Sequence, residues 1–243
     1  MSEQQNKEIV VEDIADPKLA IKVYRAVIPD HVADTSNVEK AMNTGTFDRI
    51  KWSPALVGDY QEMLDYRDCM DCKLRKGDLE AAPKEYAPFV SLYNDLLAFV
   101  KACVDHYCTP YSIKMEYVEA INFVRYGKGQ HFQVHADHGF SYTCTVSTVA
   151  YLNDDFDGGE LWFPYVDVRY KPQKGDIVIS PSNFIYSHAS LPVQSGVKYS
   201  AVTMFDYNDR FHKYTPGYNE DGTKVGSVAA APSKTKAVIN VGR

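Results

Sequence analysis

The sequence predicts a mainly β (α+β) fold with helices in the N-terminal part, and two patterns support this. From residue 116 to about residue 207, β-branched and aromatic residues form short runs separated by Gly, Pro, Asn and Asp. Short strands at close spacing are typical of a β-sandwich or barrel. Before this region, apolar residues recur at three- and four-residue steps from about residue 84 to residue 106. That period predicts one long amphipathic helix with a face wide enough to pack on a sheet.

The chain divides on these patterns into one domain and a tail. We expect residues 1–215 to form the domain, with helical support over about 1–110 and the β core over about 111–210. Residues 216–243 are rich in Gly, Ala, Ser and Lys and are expected to be a peripheral C-terminal tail. Within the N-terminal part we expect a strand at 21–28, a helix capped by Asp30, and a charged surface loop at 74–83.

Bulk composition restricts the class of protein. The 243 residues are 45% hydrophobic and 24% charged, as in an ordinary soluble globular protein. The net charge of −6 gives no electrostatic reason to expect a nucleic acid or an anionic membrane as partner. No apolar run approaches the roughly 20 residues of a membrane helix. The polar start of the chain is unlike a signal peptide, and the five cysteines are an odd number. We therefore expect free thiols, including Cys69 and Cys72, and a cytoplasmic location.

Two histidines and one aspartate form a candidate metal site. In an extended strand, residues i and i+2 point the same way, so His135 and Asp137 can face one point from a single strand end. His188 lies where a later strand could bring a third ligand. Two imidazoles and one carboxylate are the facial set that binds iron(II) and leaves positions open for chemistry. The spacing thus predicts a non-haem iron oxygenase with His135, Asp137 and His188 as catalytic metal ligands.

The residues around this site resemble one enzyme family in order and spacing. The similar stretches are 125–137, Val149-Ala150-Tyr151-Leu152-Asn153-Asp154, Gly158-Gly159-Glu160, Lys171-Pro172-Gln173-Lys174-Gly175-Asp176, Ser187-His188 and Gly196-Val197-Lys198-Tyr199-Ser200-Ala201. Together they resemble the prolyl 4-hydroxylase branch of the 2-oxoglutarate- and Fe(II)-dependent dioxygenases over roughly residues 115–207. The resemblance implies a double-stranded β-helix, or jelly roll, with the iron in its mouth.

The resemblance also implies roles for individual residues. Lys198 matches the basic residue that pairs with the distal carboxylate of 2-oxoglutarate, and a buried carboxylate does require a cation. Tyr126 matches a tyrosine that lines the cosubstrate pocket, and Ser147 lies near the position of a hydroxyl residue close to that carboxylate. Two residues depart from the family pattern: Phe132 replaces a frequent tyrosine, and Met204 replaces a frequent tryptophan that faces the substrate. Both departures concern the substrate more than the chemistry.

The reaction implied is hydroxylation of prolyl residues in a peptide or protein, with release of succinate and CO2. Fe(II) would be the cofactor, 2-oxoglutarate the cosubstrate and ascorbate a reductant. The same chemistry on a free amino acid or another small molecule stays open as an alternative. A different class of function is a non-catalytic jelly-roll module that binds a metal, which predicts no turnover of 2-oxoglutarate. The oligomeric state is not indicated by the sequence.

Overall fold

A computed structural model describes residues 9–43, 47, 50–57, 61–139, 142–210 and 212. The described residues up to Asp209 form one compact unit. The tail expected at 216–243 lies outside the described residues, and the boundary at 215 stays a prediction.

The elements follow one another along the chain as helices and short antiparallel strands. The α-helices are α1 (Thr35–Asn43), α2 (Lys76–Ala81) and α3 (Ala87–Cys108). The strands before α1 and between α1 and α2 are β1 (Val10–Asp13), β2 (Lys22–Arg25), β3 (Ser53–Pro54), β4 (Arg67–Asp68) and β5 (Met70–Leu74). The strands after α3 are β6 (Tyr117–Tyr126), β7 (His131–His135), β8 (Val146–Tyr151), β9 (Asp157–Gly158), β10 (Leu161–Phe163), β11 (Val168–Tyr170), β12 (Ile177–Pro181), β13 (His188–Ser190), β14 (Val193–Ser195) and β15 (Lys198–Asp206).

Two facing sheets form the core of the molecule. The larger sheet has eight strands in the order β1-β2-β12-β8-β15-β6-β5-β3, and the smaller has five in the order β11-β10-β13-β7-β4. Every strand pairing within them is antiparallel. Neighbours in space are mostly distant in sequence, as in a jelly roll. The predicted mainly β, jelly-roll fold is therefore confirmed.

Alternating side chains assign the two faces of the larger sheet. On β6, Ile121 and Phe123 belong to the large core that α3 completes, whereas Val124 and Tyr126 belong to a second cluster on the opposite face. Phe132 of the smaller sheet packs against that second cluster, so the two sheets enclose it. Because strand side chains alternate with period two, every second residue of β6 and β15 faces the space between the sheets.

Helix α3 covers the outer face of the larger sheet. Nine of its residues are buried, and they recur at the three- and four-residue steps seen in the sequence: Phe89, Leu92, Tyr93, Leu96, Val100, Cys103, Val104, Tyr107 and Cys108. By length and apolar composition the segment Lys84–Tyr111 could also cross a membrane. Its buried stripe is instead part of the main hydrophobic core in this structure.

The N-terminal part differs from the sequence prediction in three respects. Besides its helices it contributes four strands to the larger sheet and β4 to the smaller one, and only β2 falls within the strand expected at 21–28. The first described α-helix begins at Thr35 and not after Asp30, since the Asp34 carboxylate accepts the backbone N–H of Ser36 at 2.9 Å and so caps it. The expected loop at 74–83 contains α2, whose first turn carries Asp78, which accepts the backbone N–H of Arg75.

Candidate active site

The three candidate metal ligands come together at the ends of two paired strands. His135 ends β7 and His188 begins β13, and these residues are direct cross-strand partners. Asp137 follows two residues after His135. The Asp137 carboxylate oxygens lie 3.6 Å from Nε2 of His135 and 3.9 Å from Nε2 of His188. One ligand atom from each residue lies within 4.8 Å of the others, which is the convergence a single ion requires.

Backbone carbonyls orient both imidazoles toward this point. Nδ1 of His135 lies 2.8 Å from the carbonyl oxygen of Gln133, and Nδ1 of His188 lies 3.1 Å from that of Tyr186. A carbonyl can only accept, so each Nδ1 carries the hydrogen and each Nε2 presents a lone pair. Such partners fix the tautomer and ring orientation of metal-binding histidines.

The charge state of the site also suits a cation. Burial, together with the neighbouring His188, lowers the pKa of His135 to about 4, so the imidazole is neutral at physiological pH. A neutral imidazole is the form that binds metal. Two nitrogen donors and one carboxylate on one side of an ion match the donor set preferred by non-haem iron(II). The residues present therefore fit an Fe(II) ion held on one face.

Lys198 lies buried between the sheets at the start of β15. Only 3% of the residue is exposed. Its Nζ donates to the carbonyl oxygen of Gly159 at 2.9 Å and to the hydroxyl of Ser190, and it lies 4.5 Å from the centroid of the Tyr126 ring. Burial lowers the pKa of Lys198 to about 7. A buried lysine whose nearest oxygens are uncharged is suited to receive an anion.

The neighbours of Lys198 come from several strands. Tyr126 is its direct cross-strand partner on β6, which explains how residues 72 positions apart share a pocket. Gly159 has φ of +66°, and a Cβ there would lie 3.2 Å from Cδ of Lys198. A side chain at this position would press on the lysine, so the glycine allows the close approach.

The structure does not bring Ser147 to Lys198. Ser147 pairs with Met204, six residues along β15 from the lysine. Its hydroxyl lies 2.8 Å from that of Ser182 and 3.5 Å from the sulfur of Cys144. The hydroxyl expected near the distal carboxylate is therefore not supplied by Ser147 in this structure.

The hydroxyl beside Lys198 belongs instead to Ser190, a residue that the sequence patterns did not single out. Ser190 lies two residues after His188 on β13, so both side chains point to the same side of the strand, about 7 Å apart along it. Its hydroxyl contacts Nζ of Lys198 and also hydrogen-bonds with Tyr126. The available signal was the same i, i+2 rule that linked His135 to Asp137.

Comparison with known proteins agrees with this geometry. The family model described as the 2OG-Fe(II) oxygenase superfamily matches residues 121–206, a range that contains all three candidate metal ligands and Lys198. Residues 121–206 are therefore similar in sequence to 2OG-Fe(II) oxygenase domains. The resemblance drawn from the sequence motifs is thereby confirmed at the level of the superfamily.

One curated relative of this chain is a putative prolyl 4-hydroxylase of Acanthamoeba polyphaga mimivirus. It is 28% identical over 126 residues, which cover 44% of this chain and 52% of the relative. The match thus spans about half the length of that protein.

Solved structures similar to this chain share its fold at low sequence identity. They include the collagen prolyl hydroxylase of Paramecium bursaria Chlorella virus-1 (TM-score 0.55, 17% identity, 76% of this chain and 95% of that one). A prolyl hydroxylase of Trichoplax adhaerens has a TM-score of 0.61 at 13% identity, with 79% and 85% covered. A prolyl-4-hydroxylase of Pseudomonas putida has a TM-score of 0.58 at 17% identity, with 78% and 94% covered. At these identities the likeness concerns the fold alone.

Proposed function

We propose that this protein is an Fe(II)- and 2-oxoglutarate-dependent dioxygenase that hydroxylates prolyl residues in a peptide or protein. The observation that carries the proposal is the combination of two sites between the same sheets. The Nε2 atoms of His135 and His188 converge with the Asp137 carboxylate. Lys198 lies buried nearby, its neighbour Ser190 being two residues from His188 on the same strand.

The two sites support one bifunctional cosubstrate. An ion on the triad would take the 2-oxo acid end of 2-oxoglutarate, and Lys198 with Ser190 would hold the distal carboxylate. The separation of His188 and Ser190 along β13, about 7 Å, is comparable with the length of an extended five-carbon diacid. A metal that serves stability alone would not need a buried lysine set apart in this way.

The chain's own residues bind, orient and shield. Gln133 and Tyr186 hold the imidazoles through their carbonyl groups, and Asp137 supplies the negative charge beside them. Because Lys198 is buried, water would be excluded around the distal carboxylate, and the attraction between the lysine and that carboxylate would be stronger. When bound, Fe(II) with 2-oxoglutarate and dioxygen supplies the oxidation, yielding succinate, CO2 and a hydroxylated product. Ascorbate is proposed as the reductant that keeps the iron ferrous.

A prolyl substrate is proposed from the relatives. The curated relative is named a putative prolyl 4-hydroxylase, and the Trichoplax adhaerens enzyme was solved with a peptide fragment of the hypoxia inducible factor oxygen degradation domain. Both suggest a polypeptide that contains proline. All five cysteines are free thiols, which supports the further proposal of a reducing, cytoplasmic setting.

The test is succinate formation from 2-oxoglutarate with Fe(II), ascorbate and a panel of proline-containing peptides. We expect a peptide to stimulate succinate formation and to gain one oxygen atom, measured by mass spectrometry. The H188A variant should form no succinate at all, neither with a peptide nor in the uncoupled reaction of 2-oxoglutarate without one.

Three results would redirect the proposal. Stimulation by free proline or another small molecule, with no peptide active, would favour the small-molecule alternative. Metal binding without any succinate would favour the non-catalytic module. Succinate formation that persists in H188A would remove His188 from the ligand set.

A further inference from the structure

The His135 ring is one layer of a stack that continues away from the metal ligands. The phenyl ring of Phe132 lies against it, with ring centroids 3.6 Å apart and planes 15° from parallel. The guanidinium carbon of Arg67 lies over the same phenyl ring, 4.8 Å from its centroid. Since the imidazole covers one face of Phe132, the guanidinium occupies the other. The result is a three-layer stack of Arg67, Phe132 and His135.

Backbone geometry creates this stack. Across β7 and β13, His188 pairs with His135 but Ser190 pairs with Phe132, so between these pairs two residues of β7 oppose one of β13. This is a β-bulge. Residues at i and i+3 of a regular strand point to opposite faces, and the extra residue restores Phe132 and His135 to the same side. The third layer comes from pairing of β4 with β7, in which Arg67 is the direct partner of Phe132.

Arg67 is held firmly enough to act as a support. Its side chain is 13% exposed. Its Nη1 donates to the carbonyl oxygen of Leu56 at 2.9 Å, and its Nη2 donates to the Asp71 carboxylate at 2.8 Å. Tyr66 meets the Phe132 ring edge-on at a centroid distance of 5.6 Å. These two hydrogen bonds fix the guanidinium plane that faces the phenyl ring.

We propose that Arg67 and Phe132 are positioning residues of the metal site: the guanidinium presses the phenyl ring against His135 and fixes the plane in which that imidazole presents Nε2. The hydrogen bond to Gln133 fixes which nitrogen faces the metal, but it leaves the ring free to rock about that bond. The stack removes this freedom before any metal binds. Preorganised ligands bind metal more tightly because less conformational freedom is lost on binding. The inference rests on the proposed metal site.

The experiment measures binding of Co(II) to the metal-free full-length chain by its ligand-field absorption. We expect R67M and F132L each to weaken Co(II) binding by about 10-fold, as is typical when an outer partner of a metal ligand is lost, and to alter the shape of the absorption band. F132Y retains the aromatic face and should bind Co(II) as the wild type does. The variant R67K keeps the charge but lacks the planar group, so it should behave like R67M.

Arg169 offers a matched control. It lies at the other edge of the same sheet, pairs with Trp162 across β10 and β11, and has its guanidinium carbon 5.7 Å from that ring's centroid. In the described structure it stacks on no metal ligand. The variant R169M should therefore leave Co(II) binding at the wild-type value.

A double variant tests whether the two residues act through one another. If Arg67 acts only through the phenyl ring, R67M combined with F132L should bind Co(II) no more weakly than F132L alone. Multiplied losses would overturn the proposal, as would wild-type Co(II) affinity and spectrum in F132L. Should R67M fail to fold, the comparison of F132L with F132Y still decides. Wild-type protein that binds Co(II) but forms no succinate would refute the proposed function and leave this inference intact.

Discussion

The lysine between the sheets offers a prediction that separates cosubstrate binding from metal binding. In K198M the side chain keeps its approximate length but loses the charge that would meet the distal carboxylate. Lys198 is 3% exposed, so no solvent replaces that charge. Removing one partner of a buried, hydrogen-bonded charge pair costs about 3 kcal/mol. At about 1.4 kcal/mol for each factor of ten, kcat/KM for 2-oxoglutarate should fall by about 100-fold.

The assay compares two oxo acids by their rates of CO2 release. 2-Oxopentanoate has the reacting end of 2-oxoglutarate but no distal carboxylate. Wild type and K198M should therefore decarboxylate it at the same low efficiency, and Fe(II) binding should be unchanged. Lys171 provides the control: it is exposed, and its Nζ donates to the carbonyls of Phe156 and Gly158 at 3.1 Å. K171M should keep wild-type kinetics with 2-oxoglutarate. Equal loss in K198M for both oxo acids would refute the assigned role.

Three further predictions concern the charge of Lys198, the two serines considered for the cosubstrate pocket, and one buried carboxylate. Burial lowers the pKa of Lys198 to about 7, so the lysine of the free enzyme loses its charge as the pH rises. KM for 2-oxoglutarate should therefore increase above pH 7, toward about tenfold per pH unit. In K198M this increase should be absent. S190A should raise KM for 2-oxoglutarate several-fold, whereas S147A should not. If S147A raised KM and S190A did not, Ser147 would be the hydroxyl near the distal carboxylate, as the sequence predicted. Asp176 is 1% exposed and accepts hydrogen bonds from an arginine, a backbone amide and a tyrosine. In urea unfolding, D176N should therefore lose about 3 kcal/mol of the free energy of unfolding. The exposed Asp154 is the control, and an equal loss in D154N would contradict the reasoning.

The folded site shows which inferences the sequence could support. His135 and Asp137 were linked by the rule that residues i and i+2 of an extended strand point the same way, and in the structure their side chains do lie together. Their partner His188 came from order along the chain and from family resemblance, and the structure pairs it directly with His135. Lys198 and Tyr126 were assigned by resemblance, and the pairing of β15 with β6 brings them together.

The features that escaped prediction depend on register between distant segments. The approach of Arg67 to Phe132 arises from β4 pairing with β7, across 65 residues, and no local pattern encodes that pairing. The bulge that turns Phe132 toward His135 depends on a one-residue mismatch between two strands. Ser147 was placed by loose alignment, and the register of β8 against β15 puts it opposite Met204 and away from Lys198. The N-terminal strands other than β2 were missed because short strands carry few periodic residues.

The most direct test of the central claim is the amount of Fe(II) retained per chain after anaerobic loading and dialysis. We expect one Fe(II) per wild-type chain, and none in H135A, D137A or H188A. The K198M variant should retain one Fe(II), because its lysine does not belong to the ligand set. Retention of a full equivalent of iron in H188A, or the absence of bound iron in the wild type, would contradict the claim that these three side chains hold the metal.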